Sequence, residues 1–186
     1  MTGMGEPATQ RDAARRLHAL HVRGEPLVLF NAWDAGSARA IAGAGARAIA
    51  TGSWSVAAAN GFDDGEQLPL ALAMDNLRRI VAAVSLPVTV DLESGYGDAP
   101  EAVAGTVAAA LAAGAAGCNL EDSFPADGTL RDVADQVARL AAARQAADAA
   151  GIAITLTGSG EPSATRAISA SSTRPGTNSP LAPASA

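Results

Sequence analysis

The stretch VTVDLESGYGD, residues 88–98, ends an apolar run with two carboxylates, Asp91 and Glu93, and breaks at once into Gly95, Tyr96 and Gly97. A spacing of two places both carboxylates on the same side of a strand. A second apolar run, AAGCNLED, ends in Glu121 and Asp122. In a parallel sheet all strand ends converge on one face, so Asp91, Glu93 and Glu121 are expected to meet there. Three ionised carboxylates in one place repel and need a compensating cation. An oxygen-only donor set selects a hard ion, Mg²⁺ or Mn²⁺. The chemistry expected is that of carboxylates and backbone groups around such a metal.

Composition narrows the alternatives. Lys is absent and all 13 basic residues are Arg, which excludes a Schiff-base amine. Both histidines, His18 and His21, lie in one N-terminal segment, leaving none for a catalytic triad or a His-ligated zinc elsewhere. The net charge of −6 argues against a nucleic-acid partner. No apolar run approaches the ~20 residues of a membrane helix. Cys118 is alone, so no internal disulfide forms and a cytoplasmic location is the expectation.

Each feature also has a plainer reading. Acidic residues at strand ends often cap helices or sit in solvated turns, which is how Asp34, Asp98 and Asp122 read. Cys118 reads as a small core residue, and the two histidines as surface residues of a first helix. Trp54 is either a packing residue or, with Gly52 and Ser53, part of a backbone turn able to hold an anion. GFDDGE, around Asp64, reads as a surface turn unless its neighbours give it a role.

The elements that must position these residues alternate along the chain. A helix is expected over 10–22, then PLVLFNAWD as a strand buried on both faces. GSARAIAGAGA reads as helix and RAIAT as strand. Leu70, Met74, Leu77, Ile80, Val81 and Val84 share one helical face, and the opening stretch follows, with Pro87 at the strand's first position. Val103, Val107 and Leu111 mark the next helix, and Leu130, Val133, Val137 and Leu140 the one after; GIAITL is a fifth strand. Five apolar runs separated by helices predict a parallel α/β sheet, either doubly wound or a (β/α)8 barrel. Residues 157–186 differ. Only Glu161, Arg166, Ile168, Arg174, Asn178 and Leu181 are not Ala, Gly, Pro, Ser or Thr, so a disordered low-complexity tail is expected after a domain spanning 1–156.

The segments NAWDAGSARAIAGAG, ATGSWSVAAANGFDDGE, VDLESGYGD and GCNLED, in this order from about residue 8 to 156, resemble the isocitrate lyase and phosphoenolpyruvate mutase superfamily. The resemblance is to its small members, such as oxaloacetate decarboxylase, dimethylmalate lyase and carboxyvinyl-carboxyphosphonate mutase. It implies a (β/α)8 barrel in which Mg²⁺ holds a 2-oxo acid or its enolate. By the same resemblance Asp91 is the direct metal ligand, with Glu93 and Glu121 acting mostly through waters. Ser53 and Trp54 hold the substrate carboxylate, Asp64 lies near the reacting group, and Gly95, Tyr96 and Gly97 form the turn against the substrate. Glu93 stands where many members have Asp.

The implied activity is a carbon–carbon lyase acting on a small carboxylic acid, with phosphoenolpyruvate mutase-type P–C chemistry as the alternative. Full-length relatives are expected to be homo-oligomers. The Cys-bearing loop of isocitrate and methylisocitrate lyases has no counterpart, since EDSFPADG follows the fourth strand. The family's fifth strand ends in a substrate-contacting Arg where this chain reads TGSGEPS. Because such barrels take ~250 residues, an incomplete barrel of about five units is expected. An inactive, frame-shifted fragment or an interaction module is the competing expectation.

Overall fold

A computed structural model describes residues 9–159 of the chain. Six helices, α1 (Gln10–Ala19), α2 (Ala35–Gly43), α3 (Ser53–Ala59), α4 (Leu70–Ala83), α5 (Pro100–Ala112) and α6 (Val133–Ala149), accompany five strands. The strands are β1 (Asn31–Ala32), β2 (Ile49–Thr51), β3 (Val88–Asp91), β4 (Gly117–Glu121) and β5 (Thr155–Ser159). All pair in parallel in the order β1-β2-β3-β4-β5. Each strand lies beside its sequence neighbour, as in a β/α barrel, whereas a doubly wound sheet reverses at a switch point. The order therefore decides between the two architectures the sequence left open.

The sheet has one apolar and one polar face. Ile49, Val88, Val90, Cys118 and Leu120 are buried against Met74, Leu77 and Ile80 of α4 and Val103, Val107 and Leu111 of α5. These are helix faces the periodicity predicts. Each such side chain contributes about 1.5–3 kcal/mol when fully buried. On the opposite face Thr51, Thr89, Asp91, Asn119, Thr155 and Thr157 line an open cavity with Leu17 and Leu29. Leu17 of α1 reaches Gly117 so closely that a Cβ there would lie 2.5 Å from Leu17 Cδ2 and 2.9 Å from Thr89 Oγ1. Gln10 anchors the same helix by donating to the carbonyls of Leu111 and Ala115.

Three expectations fail in instructive ways. PLVLFNAWD is not a strand buried on both faces: only Asn31 and Ala32 pair, and Val28 and Phe30 are exposed. Since β1 is an edge strand in this sheet, one side of that segment has no neighbour, and of its apolar residues only Leu27, Leu29 and Ala32 pack into or against the core. In α6 the apolar stripe faces outward, with Val133 77% and Val137 60% exposed and Leu130 also exposed, while Arg139, Ala143 and Ala147 are buried. The fifth strand starts at Thr155, the fifth residue of the run GIAITL, and Thr157–Ser159 belong to it. Thr157–Ser159, expected in the tail, are thus strand, and the rest of the expected tail lies outside the described residues.

Candidate active site

Asp91 terminates β3 on the polar face, and three elements fix its carboxylate. Oδ2 accepts the Ser53 N–H at 3.0 Å from the start of α3; Oδ1 accepts the Glu93 N–H at 3.0 Å and the Asn119 side-chain amide at 2.7 Å from β4. The Asp91 N–H is in turn held by Thr51 Oγ1 at 3.0 Å. A carboxylate offers about four acceptor positions, so three are occupied and one on Oδ2 is left. A Cβ at Gly52 would come 2.8 Å from Asn31 Nδ2, so a larger residue there would displace the Asn31 side chain.

Glu93 is not placed by strand alternation. The strand has ended, Glu93 takes a left-handed φ of 51°, and its Oε2 accepts the Glu66 N–H at 2.6 Å. Glu66, on the loop between α3 and α4, also has a left-handed φ, and its Oε1 accepts the Ser94 hydroxyl and the Tyr96 N–H, both at 2.7 Å. Two loops are thereby stitched together. Glu121 ends β4, where its Oε2 accepts the Ser123 hydroxyl at 3.3 Å.

The electrostatics record the crowding of negative charge. Burial, opposed by the Glu66 N–H and joined by the charges of Asp64, Asp91 and Glu66, pushes the Glu93 carboxyl up to about 7. Glu121 is raised by burial and then by Asp91 and Asp64. Burial, then Glu93, raises the Tyr96 phenol. Asp64 is exposed on its loop, yet its charge reaches both glutamates.

Two cavities divide the expected residues. A cleft of about 430 Å³ is lined by Asn31, Trp33, Gly52, Ser53, Trp54, Ser55 and Asp91. A smaller space of about 20 Å³, water-sized, is lined by Thr51, Ser53, Asp91, Glu93 and Tyr96 among others. Asp91 and Ser53 border both. The Ser53 N–H, expected to hold a substrate carboxylate, already binds the carboxylate of Asp91.

Among the described residues no group of three or more His, Cys, Asp and Glu side chains is arranged to share one metal. Glu93 is drawn aside by Glu66, so Asp91, Glu93 and Glu121 are electrostatic neighbours without forming one coordination sphere. The donor set still fits a hard cation: Asp91 Oδ2 keeps a free position, every group is an oxygen donor, and the charges acting most on the two glutamates are negative.

Other assignments resolve simply. Asp34 caps α2 through a reciprocal pair with Ser37, as expected. Asp98 is not a helix cap; it pairs with Arg131 Nη2 at 2.8 Å, and Ala99 occupies the cap position of α5 without a side-chain bond. Asp122 contributes its carbonyl to the Arg131 N–H. Sequence reasoning missed Glu66, Asn119 and Asn76, the last of which donates to the Trp33 carbonyl at 2.9 Å. Only Asn119 had a local signal, since it alternates with Glu121 on β4.

The family model described as phosphoenolpyruvate phosphomutase matches residues 17–162. A candidate phosphonomutase from Burkholderia cenocepacia J2315 is 61% identical, with a TM-score of 0.78, covering 80% of this chain and 59% of that one. A 2,3-dimethylmalate lyase, a member of the PEP mutase/isocitrate lyase superfamily, is 29% identical with a TM-score of 0.70, covering 78% and 52%. An uncharacterized Mycobacterium tuberculosis protein is 42% identical over 106 residues, 57% of this chain and 40% of that protein. The chain therefore spans between 40% and 59% of the length of these relatives.

Proposed function

The chain belongs to the phosphoenolpyruvate phosphomutase family, and from that premise we propose that it carries a metal-dependent carbon–carbon lyase site for a small 2-oxo or 2-hydroxy acid. The observation that carries this reading is the fixation of Asp91 by Ser53, Glu93 and Asn119 while its charge bears on both Glu93 and Glu121. Negative charge concentrated at strand ends is expensive unless a cation joins it.

Asp91 would hold Mg²⁺ or Mn²⁺ directly, with Glu93 and Glu121 orienting its waters. When bound, the ion supplies Lewis-acid stabilisation of the oxygen on which negative charge develops. The backbone at Trp54, next to the Ser53 N–H that Asp91 already takes, would orient the substrate carboxylate in the cleft both residues share with Asp91. In a 2-oxo acid such as oxaloacetate the bond to the far carboxylate would break heterolytically, releasing CO₂ and leaving the electron pair in a pyruvate-type enolate that then takes up a proton. In a 2-hydroxy acid the hydroxyl would lose its proton as the C2–C3 bond breaks, giving the 2-oxo acid and leaving the pair on the departing carboxylate fragment, which is protonated in turn. Asp64 is the side chain assigned to moving the proton, to or from the reacting group. Tyr96 of the Gly95–Tyr96–Gly97 turn lines the small space next to Ser53, Asp91 and Glu93, where the turn would help exclude water.

Titration of the purified chain with Mn²⁺ tests the reading, followed by pyruvate release from oxaloacetate and dialkylmalates. Saturable binding that Asp91→Ala weakens strongly is expected; binding indifferent to that substitution would defeat it. A second reading, P–C bond rearrangement, is favoured by the 61% identity to a candidate phosphonomutase. Interconversion of phosphoenolpyruvate and phosphonopyruvate, followed by phosphorus NMR, separates the two.

A further inference from the structure

The loop Ser94–Asp98 lies between opposite charges. On one side Glu66 accepts the Ser94 hydroxyl and the Tyr96 N–H. On the other, Arg139 of α6, 2% exposed, donates Nη1 to the carbonyls of Gly97, at 2.7 Å, and Asp98, and Nη2 to that of Ser94. Among the described residues Arg139 has no carboxylate within ion-pair distance, and its Nε is buried without a partner.

Packing alone would not choose this arrangement. A buried guanidinium satisfied only by carbonyls carries a large desolvation cost, yet α6 turns Arg139 inward and leaves Val133 and Val137 exposed. The loop it grips is itself unfavourable: Gly95, Tyr96 and Gly97 have φ of 103°, 57° and 153°. The left-handed state costs a non-glycine residue such as Tyr96 roughly 1–2 kcal/mol. The two glycines have no alternative, since a Cβ at Gly95 would lie 3.0 Å from Val103 Cγ2 and one at Gly97 2.7 Å from Ala102 Cβ.

We propose that Arg139 is a positioning residue, which holds the Ser94, Gly97 and Asp98 carbonyls from the α6 side so that Tyr96 keeps its left-handed conformation, its N–H on Glu66 and its side chain beside Asp91 and Glu93. Removing the fork leaves three carbonyls facing a void, and the loop relaxes away from Glu66. The importance of this for ligand binding rests on the lyase reading; the control of loop shape does not.

Two arms keep these apart. Hydrogen–deuterium exchange compares the unmodified chain with Arg139→Met and Arg139→Lys. Exchange in the 94–98 loop should rise about tenfold in Arg139→Met and less in Arg139→Lys, with β3 and the centre of α5 unchanged. In the second arm oxalate, a planar dianion resembling a pyruvate enolate, is titrated into Mn²⁺-loaded protein. Arg139→Met should weaken oxalate about tenfold while changing Mn²⁺ affinity less than about twofold. Unchanged loop exchange, or acceleration spread evenly over α5, α6 and the loop, overturns the proposal. Loop-specific acceleration in a chain that binds neither Mn²⁺ nor oxalate supports Arg139's control of the loop and overturns the lyase reading instead. Should Arg139→Met not fold, Arg139→Lys carries both comparisons, because a point charge cannot span three carbonyls.

Discussion

Asn119 is the register partner of Asp91 across the β3–β4 ladder, and its side-chain amide donates to Asp91 Oδ1 at 2.7 Å. Neighbouring strands thus supply both the candidate ligand and the group that orients it. Groups that hold a ligand in this way typically account for ~10–100-fold of metal affinity. Asn119→Ala is expected to weaken Mn²⁺ binding within that range while Asp91 is still present. Calorimetric titration gives the answer, and an affinity equal to that of the unmodified chain would show that Asp91 needs no such support.

Glu93→Gln should stabilise the metal-free protein and weaken the metal. The Glu93 carboxyl is raised from an ordinary 4.5 to about 7, chiefly by burial. The native state therefore keeps the proton longer than the unfolded chain does, so stability associated with this group is present below about 4.5 and declines as pH rises through about 7. Gln cannot ionise, and its Oε1 can still accept the Glu66 N–H. In chelator the variant should melt higher than the parent at about pH 8, the gain shrinking toward about pH 5. A variant that melts lower at the alkaline end would falsify this electrostatic origin.

Cys118 should be chemically silent in the folded protein. It is fully buried on β4, and burial pushes its thiol up to about 12. Thiolate is the reactive form. A disulfide reagent at neutral pH should therefore titrate no thiol in the native chain and one in urea. Rapid native labelling would place Cys118 at the surface and contradict the packing of β4 against α5.

Gly117→Ala tests the closure of the polar face by α1. The added Cβ meets Leu17 Cδ2 at 2.5 Å and Thr89 Oγ1 at 2.9 Å, so one or both must move. Overpacking of this kind costs about 1–3 kcal/mol. Leu17→Ala in the same chain should recover part of that loss. If Gly117→Ala melts with the parent, α1 is not seated where its Leu17 touches the sheet.

Val133 and Val137 mark where local pattern misleads. Their spacing with Leu130 and Leu140 is that of an amphipathic helix, and Leu140 does pack against the core, but the buried side of α6 carries Arg139, Ala143 and Ala147. Periodicity reports that a helix has an apolar stripe. It does not report that a buried guanidinium, satisfied by carbonyls more than 40 positions earlier in the chain, has taken the inward face.

What the amino-acid sequence determined by itself is the alternation of strands and helices, the buried faces of α4 and α5, the cap at Asp34 and the placement of Asp91 and Glu121 at strand ends. All of these depend on neighbours a few residues apart, where a repeat of two or 3.6 residues translates directly into a face. Tertiary structure alone decided the sequential strand order, the exposure of Val28 and Phe30 beside an edge strand, the turning of Glu93 toward Glu66, and the grip of Arg139 on the Ser94–Asp98 loop. These depend on partners 27 to 45 positions apart or on which side of a sheet is left open. A side chain's pattern states its own polarity, whereas its partner is chosen by the path of the whole chain.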